Sequence, residues 1–216
     1  MPLDILQHPS TFPKVVYILA PGILGCDYWP RIPENAFVIT VNKGILIPNI
    51  HKNIWMAEDM GLHRLYPWFD KMAKELIAAN HPLMSPNPTP VFGDKHFLAM
   101  YPSVPYFYQV GPSLRRIKHR FNLDSTVLYG HATIACKAVQ LAAIKGAKLI
   151  ILCGVDMMGK QYFDGQYTES GHIVPHIGDR WFCVDDFNRF IKHIKGHRVI
   201  VKSLSPTALT VAIAHP

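Results

Sequence analysis

The chain has 216 residues, of which 49% are hydrophobic and 17% are charged, a balance that excludes wholesale disorder and fits one folded domain. Its apolar runs are too short to span a bilayer, and its first residues lack the basic and apolar regions of a secretory signal. The formal net charge of +7 favours partners that carry phosphate, such as nucleotides, nucleic acid or an anionic membrane surface. We therefore expect a cytoplasmic protein whose basic surface also allows peripheral association with the inner face of the membrane.

Short apolar runs alternate with helical patterns along the chain. The runs predicted to be strands are 14–20, 36–42, 53–59, 147–156 and 197–205. Helical spacing predicts helices at 61–79, 131–147, 181–196 and 205–214, the last with Ser205 as N-cap and Pro206 in its first turn. This alternation predicts an α/β fold, a Rossmann-like three-layer sandwich whose sheet is mostly parallel, in a single domain that covers residues 1–216.

A proline-rich segment interrupts this alternation. Residues 81–112 hold seven prolines and many aromatic side chains. Linkers seldom carry so many Phe and Tyr residues, so the sequence predicts an irregular lid or insertion over residues 81–124 of the domain.

Polar residues stand where the predicted strands end, which is the sheet edge at which α/β proteins bind ligands. Gly22 follows the first strand and would let backbone N–H groups approach a phosphate or a ribose, although the turn matches neither G-x-G-x-x-G nor a P-loop. The amide of Asn42 could read a base or a sugar, or it could cap a turn. Asp59 could hold a metal or a ribose hydroxyl, or it could cap the following helix. Asp156 ends a buried strand after Gly154 and Val155, and we expect it to join this cluster.

Two further groups of residues could carry chemistry. Gly130 and His131 open the clearest helix, where free N–H groups and the helix dipole favour an anion, although a histidine there is also a common cap. Tyr162 could donate to a phosphate oxygen or a leaving group, or it could be a rim aromatic. His172 and His176 are four residues apart in a predicted loop, and the sequence offers no obvious third metal ligand. One histidine acting as a general base is therefore the stronger interpretation, and a packing role is the alternative.

Two stretches, KVVYILAPG…RIPENAFVITVN at 14–42 and STVLYGHATIACKAVQLAAIKGAKLIILCGVDMMGKQYFDG at 125–165, together resemble a known superfamily. They are similar to the bacterial sialyltransferases of lipooligosaccharide synthesis, glycosyltransferase family 42, and to a related group that includes 6-hydroxymethylpterin diphosphokinases. The order of the motifs carries the resemblance: a glycine-bearing turn, a strand ending in Asn, a helix start, a strand ending in Gly-Val-Asp, a tyrosine loop and a histidine.

The resemblance implies a role for each matching residue. It implies nucleotide contacts at Gly22 and Asn42, donor-phosphate or sugar contacts at Gly130 and His131, a leaving-phosphate contact at Tyr162, a general base at His176 with His172 as its competitor, a nucleotide contact at Ser205 and Thr207, and an organising role for Asp156.

The function implied by the resemblance is transfer from a nucleotide-activated donor, most directly by a glycosyltransferase acting on a glycan or another hydroxyl acceptor, with no metal or other cofactor required. Diphosphate transfer from ATP, with Mg²⁺ held by Glu58, Asp59 and Asp156, is the second enzymatic interpretation. A non-catalytic nucleotide- or glycan-binding module is the third. No recognised motif supports nucleic-acid binding. The sialyltransferase relatives assemble into oligomers, so the resemblance also implies a homo-oligomer.

Overall fold

The computed structural model of the protein describes residues 2–57, 67–79, 91–93, 95–113, 121–130, 133–157 and 177–214. Eleven strands lie within these residues: β1 (Leu3–Asp4), β2 (Val15–Leu19), β3 (Val38–Val41), β4 (Ile54–Ala57), β5 (Val91–Gly93), β6 (Tyr106–Phe107), β7 (Val110–Ser113), β8 (Leu128–Gly130), β9 (Leu149–Cys153), β10 (Ile200–Ser203) and β11 (Ala212–Ile213). The helices in the same part of the chain are α1 (Pro67–Ala78), α2 (Lys95–Met100), α3 (Ile134–Ile144) and α4 (Ile177–Lys195). Short 3₁₀ turns follow two of the strands, at Ile23–Gly25 and Asn42–Leu46.

Nine of the described strands form one sheet in the order β1-β6-β5-β4-β3-β2-β9-β10-β11, and every neighbouring pair is parallel. The remaining two, β7 and β8, pair with each other. Parallel strands require crossover connections, and the helices that supply them cover the sheet. The predicted Rossmann-like fold with a mostly parallel sheet is confirmed.

Both faces of the sheet are buried at its centre, as the side chains of β4 illustrate. Ile54 and Met56 pack into a cluster with α3 and α4, while Trp55 and Ala57 pack into a second cluster with α1 and α2. Successive side chains of a strand point to opposite faces, so this division places helices on both sides of the sheet. The three layers follow from the near-continuous apolar composition of the central strands.

The predicted strands at 14–20, 36–42, 53–59, 147–156 and 197–205 are confirmed where they are described. The helix predicted at 131–147 is also confirmed. Thr133 caps it by accepting a hydrogen bond from the Cys136 backbone N–H at 3.4 Å, and Gly146, with a φ of +98°, ends it. The helix predicted at 61–79 begins at Pro67 within the described residues, and α4 begins at Ile177 rather than at residue 181.

The helix predicted at 205–214 is wrong. Residues 205–211 form an irregular, bent segment, and Ala212–Ile213 add a parallel strand next to β10. Ser205 does not cap a helix, because its hydroxyl accepts a hydrogen bond from the Gly154 N–H at 2.9 Å. The segment is held by contacts with the neighbouring strand end, and these override its local helical pattern.

The expectation of irregular structure in the proline-rich segment also needs correction for its described part. Residues 91–93 and 106–107 are strands of the main sheet, and Lys95–Met100 form a helix between them. Strands of two and three residues are too short to show a clear period in the sequence, which explains the difference. That the segment serves as a lid stays a prediction.

No helix among the described residues is long and apolar enough to cross a membrane.

Candidate functional site

The strand order places a crevice at the carboxyl end of β2. The neighbours of β2 are β3 on one side and β9 on the other, so the chain winds away from β2 in two directions. Such a switch point is where doubly wound sheets bind their ligands. The residues that follow β2, β3, β9 and β10 therefore line one edge of the sheet.

Gly22 lies directly against the carboxylate of Asp156. A Cβ atom at position 22 would stand 2.7 Å from both Cγ and Oδ2 of Asp156 and 2.4 Å from the Gly154 carbonyl oxygen. The backbone adds a hydrogen bond, since the Gly22 N–H donates to the Gly154 carbonyl at 3.0 Å. Only glycine fits this approach, and the sequence-predicted pair Gly22 and Asp156 meets as expected.

The turn after β9 needs a glycine for a second reason. Gly154 has a φ of +71°, in the left-handed region that residues with a Cβ rarely adopt. A Cβ there would also lie 2.2 Å from the Ala20 carbonyl oxygen. The turn brings Asp156 back towards the crevice, where the residue is 8% exposed. A carboxylate in this position can accept hydrogen bonds from the hydroxyl groups of a bound ligand.

The residues after β10 hold this turn in place. Ser205 accepts a hydrogen bond from the Gly154 N–H, as described above, and Thr207 Oγ1 donates to the Val155 carbonyl at 2.6 Å. The Ala208 N–H donates to the Asp156 carbonyl at 2.8 Å. The structure therefore brings Ser205 and Thr207 next to Asp156, and both hydroxyls bind the backbone of the turn. A direct contact between these hydroxyls and a nucleotide stays a prediction.

Asn42 follows β3 in the neighbouring crevice wall. Its φ is +44°, an uncommon conformation that asparagine tolerates better than most residues. The indole N–H of Trp55 donates to the Asn42 carbonyl at 2.8 Å and so stabilises this conformation. Trp55 is fully buried and stacks edge-on against Phe69 at 5.3 Å, which fixes the donor.

Gly130 is the last residue of β8 and stands three positions before the N-cap of α3. The buried Gln140 of α3 fixes the preceding residue. Its Oε1 accepts from the Tyr129 N–H at 2.7 Å, and its Nε2 donates to the Tyr129 carbonyl at 3.1 Å. This pair of bonds sets the position of the strand end relative to the N-terminus of α3, where an anion would be favoured.

Sequence reasoning missed three residues near these strand ends. Trp55 and Gln140 position Asn42 and Tyr129, and Lys43 is 2% exposed directly after Asn42. Gln140 offered a signal, because it is the one amide side chain on a mostly apolar helix. Lys43 offered none, because its burial, which is unusual for a lysine, is visible only in the structure.

A cysteine nucleophile finds no support at the described end of β9. Burial raises the pKa of the Cys153 thiol to about 12, and its Sγ lies 3.9 Å from the Gly25 carbonyl oxygen, a partner for a protonated thiol. Burial and then the nearby charge of Asp27 raise the pKa of the Cys26 thiol as well. Both thiols therefore hold their protons at neutral pH, and a thiolate is the form that attacks.

Six of the residues to which the sequence analysis gave a role lie outside the described residues. They are Glu58, Asp59, His131, Tyr162, His172 and His176, so their predicted roles stay predictions. Within the described part of the chain, no group of three or more His, Cys, Asp or Glu side chains could hold a metal ion.

No protein-family model matches the chain, and no curated protein matches it. Solved structures match it by fold. The sialyltransferase CstII from Campylobacter jejuni in complex with a substrate analogue, CMP-3FNeuAc, superposes with a TM-score of 0.53 at 15% identity over 94% of this chain and 87% of that chain.

Two further sialyltransferase structures match the chain by fold. The monofunctional alpha-2,3-sialyltransferase Cst-I from Campylobacter jejuni has a TM-score of 0.51 at 14% identity over 97% of this chain and 86% of that chain. The sialyltransferase CST-II in complex with trisaccharide acceptor and CMP has a TM-score of 0.50 at 15% identity over 94% of this chain and 86% of that chain. At these identities the similarity shows a shared fold. The three structures lend no support to the pterin diphosphokinase part of the resemblance.

Proposed function

We propose that the protein is a glycosyltransferase that uses a nucleotide-activated sugar, with a cytidine monophosphate sugar as the first donor to test. The observation that carries the proposal is the contact between Gly22 and the Asp156 carboxylate at the switch point of the sheet. The glycine lets the Asp156 carboxylate lie directly against the end of β2, and this buried carboxylate offers an acceptor for ribose hydroxyls. The matched sialyltransferases, crystallised with CMP-3FNeuAc and with CMP plus a trisaccharide acceptor, support the choice of donor.

The reaction replaces one bond to the sugar's anomeric carbon with another. The bond between that carbon and the phosphate oxygen of the donor breaks, and a bond to the acceptor oxygen forms. His176 takes the proton of the acceptor hydroxyl as general base, and Tyr162 donates a hydrogen bond to the departing phosphate. In the sequence His176 directly precedes the first residue of α4. These two roles rest on the sequence resemblance, and His172 competes with His176 for the first.

Nucleotide binding tests the first half of the proposal. We expect CMP without added metal to raise the thermal midpoint by about 5–10 °C at a hundredfold excess over its Kd, and UDP, GDP, ADP and ATP to raise it less. Asp156→Asn should reduce the CMP shift, whereas Asp185→Asn, an exposed change on α4, should leave it intact. A shift with ATP and magnesium alone would contradict the proposal and favour diphosphate transfer, and no shift with any nucleotide would favour a binding module of another kind.

Turnover tests the second half. We expect CMP release from CMP-N-acetylneuraminate in the presence of lactose, measured by chromatography. His176→Ala should keep the CMP-induced thermal shift and lose turnover by about 10²-fold or more, as expected for removal of a general base. His172→Ala is the matched control and should keep turnover. The opposite pattern would assign the base to His172, and full activity of both variants would remove histidine from the mechanism.

A further inference from the structure

A groove of about 520 Å³ lies between α4 and the last two strands of the sheet. Its wall on the helix side runs from Asn188 to Lys195, and its other wall runs along residues 199–202 and 210–212. It faces the sheet edge at β11, whereas the proposed active site lies beyond the carboxyl ends of the strands. The groove is therefore separate from the residues that would bind the donor.

The groove carries one sign of charge. Four of its lining residues are basic, Arg189, Lys192, Lys195 and Lys202, and none of its described lining residues is acidic. Arg189 has the buried Asp186 as a neighbour at 3.9 Å. Lys192 and Lys195 form no ion pair with any described carboxylate, so their charge is available to a partner.

The floor of the groove is apolar. Ile191, Val199, Val201 and Val211 contribute to it. An apolar floor with cationic walls suits a ligand that alternates apolar and acidic groups, because each kind of group then meets its complement.

The backbone of β11 offers hydrogen bonds at the same place. The Ala214 N–H donates to the Ser203 carbonyl at 2.7 Å, so alternate backbone groups of this strand turn towards β10. The N–H and C=O of Ile213 consequently point away from β10, and Ile213 is 46% exposed. β11 is the outermost strand in the described part of the sheet. An outermost strand is a template for an added strand.

We propose that this groove binds an extended acidic peptide segment of a partner protein, which adds a strand to β11 and places its carboxylates against Lys192 and Lys195. Main-chain hydrogen bonds to Ile213 supply affinity, and the alternating side chains supply specificity. A concave groove beside unpaired backbone groups favours a peptide over a flat anionic membrane, which could use the charges but not the strand edge.

Fluorescence anisotropy with the labelled peptide Glu-Val-Glu-Ile-Asp-Val-Glu tests the proposal on the full chain. We expect saturable binding that weakens as salt is added. Lys192→Gln with Lys195→Gln should weaken binding about tenfold, which corresponds to two surface ion pairs. Lys71→Gln with Lys74→Gln, an equal loss of charge on α1, should have no effect. These lysines are largely exposed, with side-chain exposures of 78% and 68%.

Two N-methylated peptides test the added strand without any change to the protein. One is methylated at its even positions and the other at its odd positions, so only one of them loses the N–H groups that face β11. We expect one peptide to bind at least about tenfold more weakly than the other. Equal binding of the two, or no saturable binding of the parent peptide, would overturn the proposal. Sedimentation with phosphatidylglycerol vesicles that depends on Lys192 and Lys195, without peptide binding, would overturn it in favour of a membrane surface.

Discussion

A methyl group at position 22 has no space, because the Gly154 carbonyl oxygen would lie 2.4 Å from it and the Asp156 carboxylate 2.7 Å from it. Gly22→Ala should therefore lower the free energy of unfolding by about 2–3 kcal/mol and abolish the CMP-induced thermal shift. Gly196→Ala is the control. A Cβ atom at position 196 would lie 3.2 Å from the His193 carbonyl oxygen, and this position is far from the crevice. Urea denaturation and the thermal shift measure the two effects. A variant as stable as the wild type would refute the close approach.

Trp55 acts on the crevice through a single hydrogen bond to the Asn42 carbonyl. Trp55→Phe removes the indole N–H, so the Asn42 carbonyl loses this hydrogen bond. The loss should lower the free energy of unfolding by about 1–3 kcal/mol. We also expect a weaker affinity for CMP, because the left-handed conformation of Asn42 loses its support. Isothermal titration of the folded variant measures this affinity. Trp29→Phe, outside this contact, serves as the comparison, and an unchanged Kd in Trp55→Phe would show that Asn42 needs no such support.

At the scale of single residues, the position of Gly22, Asn42 and Asp156 just after predicted strands was enough to predict that they lie at one edge of the sheet. The residues that hold them were harder to predict. Trp55 is thirteen residues from its partner Asn42, and its role depends on the pairing of β3 with β4. Such contacts exist only after the sheet has formed.

At the scale of elements, the turns after β9 and β10 form one unit. Thr207→Val keeps the shape of the side chain but loses the bond to the Val155 carbonyl and the acceptor for the Leu209 N–H. We expect a loss of about 1–3 kcal/mol and faster amide exchange across residues 154–156. Thr210→Val is the matched control on an exposed position. Hydrogen exchange followed by mass spectrometry distinguishes the two, and equal protection in both variants would contradict the coupling of the turns.

The same unit explains why the C-terminal segment could not be predicted. Ser-Pro followed by an apolar stretch is a typical helix start, whereas the helix at 131–147 was predicted correctly from its apolar spacing and from Gly146 at its end. Here the hydrogen bonds from Gly154 to Ser205 and from Ala208 to Asp156 compete with the first helical turn. The strand that follows has two residues, too few for a pattern of alternation.

At the scale of the molecule, the alternation of strands and helices predicted a parallel sheet, but the order of its strands could not be read from the chain. β2 pairs with β9 across the centre of the sheet, and β1 pairs with β6 at its edge. Sequence patterns describe each strand alone, while strand order depends on which helix crosses which face.

Alkaline pH should test how tightly the centre of the sheet is packed. Burial raises the pKa of the Cys153 thiol from its ordinary value of 9.0 to about 12, so the folded protein holds a proton that the unfolded chain releases. The retained proton adds to the free energy of unfolding. This stabilisation is complete below pH 9, and up to about 4 kcal/mol of it is lost as the pH rises towards 12. Urea midpoints measured from pH 8 to pH 11 should fall more steeply for the wild type than for Cys153→Ala.

Tyr101, whose pKa burial and then the hydrogen bond to Asp70 raise to about 12, is present in both proteins and contributes equally to both curves. Parallel curves would mean that the thiol is open to water. Iodoacetamide labelling then provides an independent check, because a thiol that is open to water is alkylated in the native protein.

The central pairing of β2 with β9 also constrains how the protein is made. Val15 to Leu19 bond to Leu149 to Cys153, so the partner of β2 on that side emerges from the ribosome about 130 residues later. At about 5–20 residues per second, one long edge of an apolar strand stays open for roughly 7–27 s during translation. The nascent chain must be kept from pairing with other chains over this interval, which makes the yield of protein sensitive to the speed of synthesis and to the supply of chaperones.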